Sequence, residues 1–252
     1  MAVVQNDRPA ALPVPQKGLR AAVLRLVFPP RCAFCGSRGC RENVCPVCAE
    51  QLLGLQVPPE YLRKKGDPRW LTHTVAVWQY DGVARRALLA LKYHQSRWRA
   101  AELGRQLAAH TAGLPAPDLI IPVPDHPAAA KERPYSVPKL FAERLSRQTG
   151  APVAADILQK QYNTPPQHKL NRHRRKGNPV GAYRVAKPEA LRGKRVWLVD
   201  DIVTTGATMN ECARMLWLYG AQQVTGICFA ATMPDRKAQA ETEHTRETPE
   251  HT

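Results

Sequence analysis

Long hydrophobic runs are missing from this sequence. No stretch approaches the roughly 18 to 20 uncharged apolar residues a membrane helix requires, and the longest helical candidates are studded with arginine. A soluble chain with no membrane partner is the expectation. The first thirty residues also lack a secretory signal's order of charge, apolar core and small-residue cleavage site, since Asp7, scattered prolines and Arg20 break them up. Cytoplasmic location is therefore expected. Neither a Walker loop nor a G-x-G-x-x-G turn occurs, which counts against a nucleoside triphosphatase or a dinucleotide-binding protein. There is no internal repeat. Acidic residues are scarce, 21 against 37 lysines and arginines, for a formal net charge of +16. Such an excess argues for an anionic partner, whether nucleic acid, an acidic surface or a polyphosphorylated substrate.

What is present divides the chain into four stretches. Residues 1–18 are proline- and alanine-rich without periodicity and read as a mobile extension. Residues 19–70 hold a short helix, Leu19 to Val27, stopped by Pro29 and Pro30, and then a cysteine cluster with a second small helix after Cys48. Residues 71–233 alternate strand and helix. Strand His73 to Tyr80 and the turn Asp81-Gly82 precede helices Val83 to Tyr93 and Trp98 to His110. Strand Asp118 to Val123, helix Val137 to Gln148, strand Arg195 to Val199, helix Met209 to Tyr219 and strand Val224 to Phe229 follow. Short continuous apolar strands alternating with helices predict an α/β fold, a parallel sheet with helices on both faces. Residues 234–252 are almost wholly polar and read as a disordered tail.

Five of the seven cysteines crowd together: Cys32, Cys35, Cys40, Cys45 and Cys48. In a reducing compartment that clustering suits metal better than disulfides. The two C-x-x-C knuckles, Cys32 with Cys35 and Cys45 with Cys48, supply four soft ligands for a closed tetrahedral Zn2+ site. Four thiolates leave no position for substrate water, so the ion is expected to be structural. Cys40 is either a substitute ligand or a buried thiol.

The run from Arg195 through Met209 reads as strand, turn, then helix, and in parallel sheets ligands sit at the strands' carboxyl ends. Consecutive amides at the helix N-terminus, with Gly206 permitting close approach and Thr204, Thr205 and Thr208 adding hydroxyls, make a cradle for phosphate. Asp200 and Asp201 are acceptors and do not suit that phosphate. They suit the vicinal hydroxyls of a ribose whose 5′-phosphate fills the cradle. A plain capped strand-to-helix turn would use the same residue types singly, but their contiguity favours the ligand.

This stretch, Val199-Asp200-Asp201-Ile202-Val203-Thr204-Thr205-Gly206-Ala207-Thr208, resembles the phosphoribosyl-diphosphate motif of the type I phosphoribosyltransferases. From about Leu26 to Thr232 the chain is more closely similar to the ComF/GntX family, which joins a cysteine-rich zinc module to such a domain. Tyr80-Asp81-Gly82, Leu91-Lys92-Tyr93, Pro122-Val123-Pro124, Thr164-Pro165-Pro166-Gln167 and Gly181-Ala182-Tyr183 carry that likeness. The resemblance implies that Asp200 and Asp201 bind ribose hydroxyls, that Thr204, Thr205, Gly206, Ala207 and Thr208 bind the 5′-phosphate, and that Mg2+ accompanies phosphoribosyl diphosphate. It also implies a part in DNA uptake during competence, with a helicase-like partner.

Breaking the bond from ribose C1 to diphosphate passes through a cation-like transition state, so the leaving group must be neutralised. Lys131 and Arg133, after strand Asp118 to Val123, stand where the resemblance puts the diphosphate loop. The family continues Arg-Gly-Phe-Asn-Gln, whereas here Arg133-Pro134-Tyr135-Ser136-Val137 loses a glycine and two amide side chains. The stretch is either re-engineered for another acceptor or no longer supports transfer. His126, between prolines, is a general acid or base or a turn residue. Further on, Lys169, Arg172, Arg174, Arg175 and Lys176 crowd a basic segment flanked by Tyr162 and Tyr183, suited to a single-stranded DNA backbone with aromatic stacking, to the diphosphate, or to solvent alone. Three functions result: a phosphoribosyltransferase (glycosyltransferase) with an acceptor of no visible signature, a non-catalytic single-stranded DNA accessory protein, and a phosphoribosyl-diphosphate sensor.

Overall fold

The computed structural model describes residues 30–40, 43–58, 62, 67–93, 96–125, 134–161 and 181–233. The expected extension 1–18, helix Leu19 to Val27 and tail 234–252 lie outside the described residues, as do His126, Lys131, Arg133, Tyr162 and the basic cluster Lys169, Arg172, Arg174, Arg175 and Lys176.

Eleven helices and strands are used below, in chain order: α1 (Pro46–Leu53), β1 (His73–Gln79), α2 (Gly82–Tyr93), α3 (Arg99–Thr111), β2 (Leu119–Pro122), α4 (Val137–Thr149), β3 (Leu158–Lys160), β4 (Tyr183–Val185), β5 (Arg195–Val203), α5 (Ala207–Leu218) and β6 (Gln223–Ala231). The central sheet has the order β1-β6-β5-β2, and its three pairings are all parallel. Helices α2, α3 and α4 cover one face, where Trp197, Val199, Ile227 and Phe229 meet Leu88, Leu103 and Phe141. On the other face α5 packs Met209, Cys212 and Leu216 against Val196, Leu198 and Cys228. Strands buried on both faces account for the unbroken apolar runs of β5 and β6.

Local chemistry sets the helix ends. Ser136 caps α4 by accepting from the Lys139 amide at 3.3 Å, and Gly150 closes it with φ of 77°. Pro138 adds a residue preset for the first turn. Two differences from expectation concern strands. β5 runs to Val203 instead of ending at Val199, because β6 continues the ladder through Asp200↔Cys228, Ile202↔Ala230 and Val203↔Ala231. β3 and β4 form a separate antiparallel pair that no periodicity announced, each being three residues long.

The cysteine segment belongs to the same packing. Cys32, Phe34, Cys48 and Leu52 share one apolar cluster with Leu88, Leu103 and Phe229, so the core crosses the boundary expected near residue 70. Among the described residues, no helix is long and apolar enough to cross a membrane.

Candidate functional site

The crevice arises from unequal strand lengths. β2 pairs with β5 only as far as Pro122↔Val199, and the Val123 amide donates to the Val199 carbonyl at 2.8 Å. Beyond that point, among the described residues, β5 keeps a strand neighbour on the β6 side alone. Asp200 and Asp201 therefore stand past the end of β2 while still held in a strand.

Alternation sends the two acids to opposite faces of the sheet. Asp201 lies on the side of α2, where its carboxylate meets Lys92 Nζ at 2.7 Å; the residue is 7% exposed. Asp200 lies toward α5, within electrostatic reach of Cys212 and Tyr183. Its Oδ1 accepts the Asp201 amide at 2.8 Å. Burial first, and the Asp201 charge second, push the Asp200 carboxyl well above its ordinary value, with Lys92 opposing in part. The pair is thus asymmetric.

After Val203 the chain turns through exposed Thr204 and Thr205 into Gly206, whose φ of 83° puts it in the left-handed region at the N-cap of α5. Thr205 Oγ1 accepts from the Ala207 amide at 3.3 Å, and the Gly206 carbonyl accepts from the Asn210 amide. Gly206 itself is buried, with Ala207 and Thr208 half-buried. A loop of small residues ending on a helix N-terminus is the geometry that receives a phosphate.

Three residues join this site that sequence reasoning passed over. Lys92 read as a polar helix position, because its partner lies on a distant strand. Tyr183, offered as a stacking surface, is 4% exposed, packed against α5 with Lys160 Nζ 5.6 Å from its ring centroid; it is buried structure and not a nucleic-acid platform. Tyr135, in the stretch that departs from the family pattern, donates its hydroxyl to the Leu91 carbonyl at 2.6 Å, satisfying a last-turn acceptor of α2 beside Lys92.

A second constellation lies across the core. The Sγ atoms of Cys32, Cys35, Cys45 and Cys48 fall within 4.8 Å of one another, with Cys35 and Cys45 at 3.7 Å. Sulfurs about 2.3 Å from a common tetrahedral ion would be about 3.8 Å apart, so the donor set fits zinc. Amides of Cys45 and Cys48 donate to the sulfurs of Cys32 and Cys45, each at 3.4 Å, as thiolates require. Cys40 stands outside this group, with its Sγ against the Ser37 carbonyl at 3.6 Å.

The class follows from comparison as well as from geometry. The family model described as "Phosphoribosyl transferase domain" matches residues 139–248. The DNA utilization protein YhgH of Shigella flexneri is 30% identical over 210 residues, covering 80% of this chain and 90% of that protein. Competence protein F of Haemophilus influenzae is 27% identical over 197 residues, covering 74% and 86%. Among solved structures, "Structure of the allosteric regulatory enzyme of purine biosynthesis" overlays 51% of this chain and 25% of its own at a TM-score of 0.35 and 22% identity. The protein has a phosphoribosyltransferase-type fold with a cysteine cluster near its N-terminus. It belongs to the ComF/GntX family, that of the DNA utilization protein YhgH and competence protein F.

Proposed function

We propose that the crevice binds phosphoribosyl diphosphate and that the protein transfers the phosphoribosyl group to an acceptor. The observation that carries this is the overshoot of β5 past β2, which brings an acidic pair and a glycine-turned helix N-terminus to the carboxyl end of the sheet. Asp201 accepts from a ribose hydroxyl, and Asp200 serves as a second partner. The amides and hydroxyls of Thr204, Thr205, Gly206, Ala207 and Thr208 take the 5′-phosphate. Lys131 and Arg133 face the diphosphate in this reading.

Mg2+ enters with the ligand, since it binds chiefly through substrate phosphates and Asp201 already has Lys92 as a cation. Held there by the ligand's phosphates, the ion would supply charge neutralisation for the leaving diphosphate, alongside Lys131 and Arg133. Zn2+ on Cys32, Cys35, Cys45 and Cys48 is structural, and a tetrathiolate site suits a reducing, cytoplasmic compartment. Calorimetric titration with phosphoribosyl diphosphate, with and without Mg2+, tests the binding; diphosphate release across candidate acceptors tests transfer. Binding without release for any acceptor would favour the sensor.

A second role is favoured by the net charge of +16 and by the relatives' printed names. Lys169, Arg172, Arg174, Arg175 and Lys176 would track a single-stranded DNA backbone, with a helicase-like protein as partner in uptake. Charge reversal of Arg172, Arg174 and Arg175 is expected to weaken single-stranded DNA binding and to lower the salt slope by roughly 0.7 per lost phosphate contact. An unchanged affinity and slope would remove DNA from that segment.

A further inference from the structure

Arg99 opens α3, and its charge is buried. The residue is 8% exposed, and no carboxylate pairs with it among the described residues. Its guanidinium reaches across to the first cysteine knuckle, where Nη1 donates to the Ala33 carbonyl and, at 3.1 Å, to the Phe34 carbonyl. These are the two residues between Cys32 and Cys35. A Cβ on Gly36, the next residue of the knuckle, would lie 3.0 Å from Arg99 Nη2. The Nε atom is buried without a hydrogen-bond partner among the described residues. Trp98 lies against the guanidinium, its ring centroid 4.8 Å away.

A buried cation that lacks a counter-charge is unfavourable, and two backbone carbonyls supply dipoles but no charge. The missing charge is at hand in the cysteine cluster. Cys32, Cys35 and Cys48 all attract the guanidinium when ionised, against the cost of its burial. Four thiols or a pair of disulfides would be neutral. Four thiolates around a divalent ion carry a net charge of about −2.

We propose that Arg99 is the counter-ion of the metal-loaded cysteine site and the residue that locks the Cys32–Cys35 knuckle onto the main sheet. Its side chain does both at once: Nη1 holds the two knuckle carbonyls, and the charge offsets the tetrathiolate. Arg99 is thus a positioning residue for the zinc ligands, supplied by a helix of the other stretch of the chain. The proposal rests on zinc being the resident ion.

Zinc affinity of the full-length protein, measured by chelator competition, tests it in wild type, Arg99→Lys, Arg99→Gln and Arg99→Met. Outer-shell partners of metal ligands typically contribute 10- to 100-fold in affinity, and a loss in that range is expected for Arg99→Met. Lysine keeps the charge on a shorter side chain without the planar guanidinium, whereas glutamine keeps a donor and loses the charge. Affinity is therefore expected to fall in the order arginine, lysine, glutamine. Circular dichroism of the zinc-loaded proteins establishes which variants fold, and the lysine–glutamine comparison stands if the methionine variant does not. A folded glutamine variant binding zinc as tightly as the lysine variant, or a folded Arg99→Met within about twofold of wild type, overturns the proposal. A wild-type protein that holds no zinc overturns the metal assignment beneath it, which is a separate result.

Discussion

Asp200 and Asp201 are neighbours in sequence with opposite electrostatic circumstances. Asp201 is paired with Lys92, whereas Asp200 is held above its ordinary carboxyl value of 3.8 by burial and by the Asp201 charge. A carboxyl whose folded value is raised binds its proton more tightly in the native state. It favours folding below the unfolded value, and that contribution is lost as pH rises through the folded value. Asp200→Asn removes this liability, so the empty protein is expected to gain stability at neutral pH, with a flatter pH dependence above pH 4, in urea unfolding across pH. A variant no more stable than wild type at neutral pH would contradict the burial assigned to that carboxyl. Removing the ammonium from the other acid has the reverse effect. Lys92→Met leaves the Asp201 charge buried alone and is expected to cost on the order of 3 kcal/mol, with part regained in Lys92→Met/Asp201→Asn. Unfolding midpoints of the single and double variants check this. The threonine-glycine loop was legible in the sequence because its parts are contiguous. Lys92 and Arg99 were not, because each acquires meaning only from a partner brought to it by the fold.

Helix ends explain part of the departure from the family pattern. Pro134-Tyr135-Ser136-Val137 looked from sequence like a loss of polar contacts, yet Ser136 caps α4 and Tyr135 closes the last turn of α2. Ser136→Ala is expected to lower stability by about 1 kcal/mol, as lost N-caps do, and Tyr135→Phe by a similar amount. Denaturant midpoints measure both; no change for Ser136→Ala would show that its long 3.3 Å bond contributes nothing. The helices and the parallel character of the sheet were readable from apolar spacing, with most ends displaced by a residue or two, whereas the small helix expected after Cys48 begins earlier, at Pro46. β5 was expected to stop at Val199, and the aspartates that follow are poor strand formers. Pairing with β6 overrides that preference, and this is what carries both acids out to the crevice. β3 and β4 escaped notice since three residues hold no period, and their register depends on contacts across a long stretch of chain.

Across the whole molecule, three rings link the cysteine segment to the sheet and its helices. Phe34 lies 6.5 Å from Phe229, and Phe229 stacks 5.7 Å from Phe141 of α4. Composition foretold a metal module and an α/β core, but not that they would share apolar packing, which depends on tertiary contacts. If zinc holds Phe34 in place, removing the metal strips one wall from the main core. Chelation, or Cys32→Ser with Cys45→Ser, is then expected to lower the unfolding temperature of the entire protein in a single transition. Two separate transitions in a calorimetric scan, with the sheet melting unchanged, would show instead that the cysteine segment is energetically independent. The proposed phosphoribosyl site at the end of β5 is tested most directly by calorimetric titration of phosphoribosyl diphosphate with Mg2+ into wild type and Asp200→Asn/Asp201→Asn. Losing the charge-assisted acceptor Asp201 is expected to weaken binding by about 1.5 to 3 kcal/mol, at least tenfold, and losing Asp200 as a hydrogen-bond partner weakens it further, with the fold retained. Equal affinity in the double variant, or no binding to wild type at all, would contradict the claim.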